Sequence, residues 1–212
     1  MLISEIFKSI SGESWQAGYL AVFIRTYGCP LNCSYCDSRY ACDSNEYTLM
    51  SVDQIMSVVN RMQCRRIIYT GGEPLIQRDA HELVVELSNA GYIVEIETCG
   101  AVDITDYLNI PNVYITMDWK SISSDMNDKM IPENLYKLRE QDVLKFVVSN
   151  EEDLDDMVRI AADTYAQCFV SPVFGEIEPV DIVSYLMNNN LNDIRFQLQI
   201  HKIVWDKDKR GV

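Results

Sequence analysis

Cys29, Cys33 and Cys36 stand in the run Cys29-Pro-Leu-Asn-Cys33-Ser-Tyr-Cys36-Asp-Ser38, and no other residues in the chain carry chemistry so specifically. Three thiolates this close can wrap one metal centre. A structural zinc closes its site with four protein ligands, whereas a reactive centre keeps a position free. An iron–sulfur cluster held by three cysteines leaves one iron open to an outside ligand. Upstream, Phe23-Ile-Arg-Thr-Tyr-Gly-Cys29 reads as a strand running straight into the cysteine loop. Downstream, Thr70-Gly-Gly-Glu-Pro74 follows the apolar run Ile67-Ile-Tyr69. The bland alternative is a zinc-binding interaction module with an ordinary glycine turn, which predicts a colourless protein with one zinc.

The elements that must position these residues alternate. Residues 2–9 and 19–27 read as strands, the second rich in β-formers. A loop over about 28–48 holds the cysteines, and Ser51 caps a helix that runs to about residue 62. Strands are then expected over 65–69, 92–97, 113–117, 143–148, 168–171 and 194–200. Helices are expected over 77–90, 104–108, 132–139, 151–165 and 180–187. Gly91 closes the helix before it, and the acidic first turn of the 151–165 helix suits its dipole. Strand–helix alternation argues a parallel sheet with helices outside. Some six βα steps are too few for a closed eight-stranded barrel. The expected fold is therefore α/β, an open, partial βα barrel of about six parallel strands, forming a single domain over residues 1–212. In such folds chemistry gathers at the C-terminal ends of strands. The cysteine loop, Thr70-Gly-Gly-Glu, Glu97-Thr-Cys-Gly100, Asp118-Trp119-Lys120 and Ser171-Pro172-Val173-Phe174 all fall there.

The 212 residues carry 18 basic and 32 acidic side chains, a formal net charge of −14, which argues against nucleic acid and its demand for a basic face. With 48% hydrophobic residues the chain can bury a sizeable core. No apolar stretch approaches a membrane span, and the start Met-Leu-Ile-Ser-Glu-Ile-Phe lacks the features of a signal peptide. A cytoplasmic protein without membrane contact is expected. There, close-set cysteines serve metal or catalysis more often than disulfides. The other four of the seven, Cys42, Cys64, Cys99 and Cys168, are scattered and read as buried small hydrophobes.

The cysteine and glycine motifs, in this order on adjacent predicted strands, resemble the radical S-adenosylmethionine (SAM) superfamily. That resemblance implies SAM chelating the open iron, with the Gly-Gly-Glu turn bringing bare backbone to its amino group. The match narrows through Ser9-Ile-Ser-Gly-Glu-Ser14, Gly18, Phe23-Ile-Arg25, the cysteine run through Ser38, Thr70-Gly-Gly-Glu-Pro, Glu97-Thr-Cys-Gly and Gln199-Ile-His-Lys-Ile-Val-Trp205. Over essentially the whole chain these residues resemble the 7-carboxy-7-deazaguanine synthase family.

The resemblance implies a radical SAM lyase that contracts the ring of 6-carboxy-5,6,7,8-tetrahydropterin with loss of ammonia, on the route to queuosine and other 7-deazapurines. Cys29, Cys33 and Cys36 would hold a 4Fe–4S cluster. A 5′-deoxyadenosyl radical would take hydrogen from the substrate C6 and later return it, so that SAM is regenerated. SAM contacts are implied at Tyr35, Cys36, Asp37, Gly72, Asp118, Trp119, Lys120, Ser171, Pro172, Val173 and Phe174. The family often has Ser-Pro-Lys where Asp118-Trp119-Lys120 stands here. Substrate contacts are implied at Ile10, Ser11, Gly12, Glu13, Arg25, Thr70 and His201. Arg25 offers the fork that takes a carboxylate with two bonds, and its place two strand alternations before Cys29 points it toward the site. Mg2+ would bind a hydroxyl two residues after the last cysteine, here Ser38 rather than the usual Thr. The Arg210-Gly-Val212 tail would fold over the pocket. A flavodoxin- or ferredoxin-type electron donor and a homodimer are further expectations. The competing enzyme reading is a glycyl-radical-enzyme activase, which shares both central motifs but consumes SAM stoichiometrically and needs neither Arg25 nor the His201 stretch.

Overall fold

A computed structural model describes residues 1–206 and 209–212. The chain opens with strands β1 (Leu2–Ile10) and β2 (Leu20–Thr26), then the short helix α1 (Tyr40–Asp43) and strand β3 (Thr48–Leu49). Alternation follows through α2 (Val52–Arg61), β4 (Arg66–Gly71), α3 (Ala80–Asn89), β5 (Ile93–Thr98), β6 (Val113–Trp119) and α4 (Glu133–Lys137). It ends with β7 (Val143–Val148), α5 (Glu151–Ala161), β8 (Gln167–Pro172), α6 (Pro179–Asn188), β9 (Ile194–Phe196) and α7 (Ile200–Val204).

The strands form one sheet in the order β3-β1-β2-β4-β5-β6-β7-β8-β9. From β2 to β9 every neighbouring pair is parallel. The expected open βα barrel is present, with a short seventh parallel strand in β9. Strand β1 pairs antiparallel with both β2 and β3, an edge the sequence did not announce because β3 is only two residues long, at the end of the stretch read as cysteine loop. The last strand also stops early. Gln197 N makes its ladder bond to Val170 O at 2.9 Å, and then Gly12 O takes Ile200 N at 3.0 Å, turning the chain into α7.

Period-two alternation splits each strand between two environments. Ile67, Tyr69, Val94, Ile96, Ile115 and Leu144 face the helices and pack with Ile55 and Val59 of α2, Leu83 and Leu87 of α3, Leu154 and Met157 of α5, and Ile182 of α6. Each such buried side chain stabilises the fold by roughly 1.5–3 kcal/mol relative to exposure. Ser51 and Gln54 form a reciprocal cap on α2, and Gly91, at φ 84°, ends α3. On the opposite face the same alternation presents Arg25, Thr70, Glu97, Asp118 and Lys145. Register places Arg25 beside Thr70, Glu97 beside Thr116, and Asp118 beside Lys145. Among the described residues no helix is long and apolar enough to cross a membrane.

Candidate active site

A cavity of about 740 Å3 opens over the C-terminal ends of the parallel strands. Cys29, Cys33 and Cys36 line it, as do Arg25, Thr70, Glu97, Asp118 and Lys145 from the sheet, and His201 with residues 209–212 from the chain's end.

Single hydrogen bonds, not regular structure, shape the cysteine loop. Gly28, at φ 97°, donates to Ala41 O at 2.8 Å, and Cys36 N to Cys33 O at 3.4 Å. Arg39 Nη2 donates to Cys33 O and Ser34 Oγ to Ser123 O, both at 2.6 Å, which ties the loop to the segment after β6. Cys29 also meets the thiols of Cys42 and Cys99, and these contacts, outweighing its burial, pull it down to about 3. The thiolate is the form that ligates metal. The reading of four scattered cysteines therefore needs correction: the end of β5 delivers Cys99, and α1 delivers Cys42, to the thiol of Cys29. Cys168 is buried, as expected, and Cys64 is half-buried with its thiol on Leu20 O at 3.2 Å.

The Gly-Gly-Glu turn passes against this loop. A side chain on Gly72 would collide with Gly28 O, and a Cβ on Gly71 would lie 2.5 Å from Thr26 O. Bare backbone is thus demanded first by the chain's own packing. Glu73 is buried and accepts from Cys99 N at 2.7 Å, Thr98 Oγ1 at 2.9 Å and Leu75 N at 2.9 Å, while burial pushes its pKa up. It locks the ends of β4 and β5 together.

The sheet wall carries a buried charge network. Lys145 Nζ lies 2.5 Å from Glu13 Oε2 and 3.6 Å from Asp118 Oδ2, which also takes Lys120 Nζ at 3.0 Å. Burial alone would raise Glu13, but the Lys145 ammonium outweighs it and holds the carboxyl below its usual range. Burial works against both ammonium groups, yet their carboxylate neighbours prevail and push Lys145 and Lys120 up. Gln199 Nε2 donates to Glu13 Oε1, so both carboxylate oxygens of Glu13 have protein partners. Arg25 Nε donates to Glu5 Oε1 at 2.9 Å, and Tyr40 OH reaches the same oxygen at 2.6 Å. The guanidinium is anchored through Nε at the cavity wall.

Of the residues expected at SAM, Tyr35, Cys36, Asp37, Gly72, Asp118, Lys120, Val173 and Phe174 line the cavity. Tyr35 donates to Val147 O at 3.3 Å, and burial raises it to about 12. Asp37 pairs with Lys202 at 2.9 Å, and that ammonium, prevailing over burial, holds the carboxyl at about 2. Trp119 is a correction: strand alternation turns its side chain into the helix-side core, where it is 6% exposed. Ser171 and Pro172 are buried in β8 and do not line the cavity. Of the substrate set, Ile10, Gly12, Glu13, Arg25, Thr70 and His201 line it. Ser11 is buried, with its hydroxyl on Glu13 O at 3.2 Å. A side chain on Gly12 would collide with the His201 ring, so glycine at that position lets His201 reach the cavity.

The Radical SAM superfamily matches residues 23–163. The chain is 42% identical to the 7-carboxy-7-deazaguanine synthase of Clostridium acetobutylicum, over 99% of this chain and 98% of that relative. It is 37% identical to the synthase of Methanospirillum hungatei, over 96% of this chain and 85% of that one. The chain belongs to the 7-carboxy-7-deazaguanine synthases. The crystal structure of QueE from Escherichia coli shares the fold of this synthase, with a TM-score of 0.79 over 94% of each chain at 21% identity.

Membership in a radical SAM family implies a 4Fe–4S cluster and SAM, and the residues of this synthase fit both. Three thiols line one cavity without converging, among the described residues, on a single ion-sized point. A cube of four irons meets its ligands at separate corners. Asp118 lines the cavity and its Oδ1 is buried with no hydrogen-bond partner among the described residues, and a nucleoside with ribose hydroxyls supplies such a partner. Reading the sequence did not single out Glu97, Lys145, Cys42, Cys99, Gln199 or Lys202 as site residues. For Glu97 and Lys145 the available signal was strand parity with Arg25 and Thr70. Cys99, Gln199 and Lys202 stand inside family motifs without a role of their own, and Cys42, on the short helix α1, carries no signal.

Proposed function

We propose that this synthase contracts 6-carboxy-5,6,7,8-tetrahydropterin to 7-carboxy-7-deazaguanine with loss of ammonia, within 7-deazapurine (queuosine) biosynthesis. The observation that carries this reading is the full-length kinship joined to one cavity that holds the three cysteines and Arg25 together. When bound, the cluster and SAM supply one-electron chemistry that yields a radical able to take hydrogen from carbon. Cys29, Cys33 and Cys36 hold the cluster. Tyr35, Asp37, Gly72, Lys120, Val173 and Phe174 shape the SAM pocket, with Asp118 Oδ1 as its unspent acceptor. Arg25 takes the substrate carboxylate in a planar fork. Thr70, Glu97, His201 and the backbone of residues 10–12 border the heterocycle, and residues 209–212 cover it and exclude water. Glu13 lines the cavity and positions Lys145, and its carboxylate keeps acceptor sites for the edge of the substrate. Ser38, which lines the cavity with its hydroxyl 3.9 Å from Cys36 Sγ, would hold Mg2+, and the ion would supply positive charge for the substrate carboxylate. The whole chain works as one catalytic unit, as a cytoplasmic homodimer reduced by a flavodoxin or ferredoxin.

The test is an anaerobic assay with SAM, reductant and 6-carboxytetrahydropterin, followed by mass spectrometry. Brown protein with about four irons is expected, with product exceeding the SAM consumed by many turnovers. One SAM consumed per event, and no deazaguanine, would favour a glycyl-radical activase instead.

A further inference from the structure

Glu95 is a buried acid with no part in the roles above. It lies on β5 one alternation before Glu97, on the same face, and is fully buried. Gln16 Nε2 donates to its Oε2 at 3.0 Å and Thr116 Oγ1 to its Oε1 at 2.6 Å, while Ser14 Oγ lies 2.7 Å from that threonine oxygen. Gln16 is itself fully buried and accepts from Arg66 Nη1 of β4 at 2.9 Å. The direct hydrogen-bond partners of Glu95 are thus neutral. Among the surrounding charges, Glu97 shares its strand and Arg66 stands behind the Gln16 amide. Glu13 and Asp118 are both taken up by Lys145, Lys120 also pairs with Asp118, and Arg25 is held by Glu5. A carboxylate without a counter-ion is costly in such a place, so the neutral acid is favoured. Burial first, and the Glu97 charge second, raise Glu95 to about 7. Glu97 is raised as well, by burial, though Lys145 opposes the shift.

Loss of ammonia breaks a carbon–nitrogen bond whose electron pair goes to nitrogen, and that nitrogen takes up a proton. We propose that Glu95 and Glu97 hold one proton between them and that the departing nitrogen receives it. Glu97, at the cavity wall, hands the proton over: its O–H bond breaks, the N–H bond forms, and the pair regains a proton from water before the next turnover. Glu95 touches no substrate. It is a positioning residue that retains the proton, linked to the wall through Thr116, which stands beside Glu97 in the β5–β6 register and lines the cavity. This inference rests on the ring-contraction reading.

Glu95→Gln keeps the size and hydrogen-bonding capacity of the side chain but holds no transferable proton. In the anaerobic holoenzyme its kcat is expected to fall about tenfold or more, with KM, iron content and SAM binding within about twofold of wild type. The ionisation near neutral pH should vanish from the kcat–pH profile. Infrared difference spectra over the same pH range should lack one carboxylic C=O band, a readout that needs no turnover. Thr116→Val removes the bridging hydroxyl and no charge, and should lower kcat while that band remains. Wild-type kcat and an unchanged pH profile in Glu95→Gln, while wild-type enzyme makes product, would overturn the shared proton alone. Absence of product from wild-type enzyme would remove the ring-contraction reading and this inference with it. If Glu95→Gln loses its iron, Thr116→Val decides, and wild-type kcat in that variant overturns the inference.

Discussion

The cavity has two unlike walls. On the sheet wall Arg25, Thr70, Glu97, Asp118 and Lys145 are spaced by strand register and anchored by buried ion pairs. The rim opposite is built from the cysteine loop and the C-terminal segment, with helices α1 and α7 of four and five residues. Helices so short have no stability of their own. The sheet wall is completed by folding itself, because the same hydrogen bonds that make the sheet set its side chains. The rim depends on individual turns and on Gly12 making room for His201. Carbon-radical chemistry suits that division, with a sheet floor beneath the cavity and a rim that shields it from water.

The largest test of this contrast is removal of the cluster. Changing Cys29, Cys33 or Cys36 to Ala should abolish iron binding and turnover, and hydrogen exchange should then quicken in residues 28–43 and 199–206 while β4–β8 stay protected. Cys168→Ala should leave iron near wild type. Equal loosening of the sheet strands would erase the distinction.

Next in size is the buried pair of the sheet wall. Lys145→Met strands the buried Glu13 carboxylate, while Asp118 keeps Lys120, and should cost about 3–5 kcal/mol of stability in urea unfolding. The rim offers the matching control. Asp37, the partner of Lys202, has a side chain 52% exposed, so solvent discounts its low pKa, and Lys202→Met should cost at most about 1 kcal/mol. Equal costs would show the two walls to be alike.

Arg25→Ala should weaken pterin binding by about 2–5 kcal/mol, read by calorimetry, with cluster and SAM retained. Arg25→Lys should not restore it, because an ammonium lacks the planar two-bond geometry. Normal binding by Arg25→Ala would remove the carboxylate clamp from the sheet wall.

Glu95 gives a pH signature of that wall. Its folded pKa stands above the unfolded value, so the folded state holds a proton that the unfolded chain has released. Stability is therefore fully present below the ordinary carboxylate range and lost as pH rises through about 7, by on the order of 3 kcal/mol. Glu95→Gln should flatten this fall in urea midpoints, and an unchanged slope would count against a neutral Glu95. The smallest effect belongs to the rim: Ser38→Ala should weaken substrate binding less than Arg25→Ala, with recovery on adding Mg2+. Wild-type affinity and an unchanged Mg2+ response would remove Ser38 as a metal ligand.

Much of this molecule was legible in its residues. The three-cysteine run, the Gly-Gly-Glu turn and the strand–helix alternation determined the superfamily and the open parallel sheet, and the Ser9–Ser14 and Gln199–Trp205 stretches the family, since motif spacing and two-residue periodicity are local properties. Strand position also placed Arg25 and Thr70 correctly. Trp119 was misplaced where a motif was carried over whole, for alternation sends neighbouring residues of one strand to opposite faces. Only the tertiary structure could decide that Cys42 and Cys99 meet Cys29, that Glu13 is held by Lys145 132 positions away, and that His201 reaches the cavity past Gly12. Those contacts join residues distant in the chain through loops of irregular geometry. No periodicity encodes them, and only the packed sheet brings their ends together.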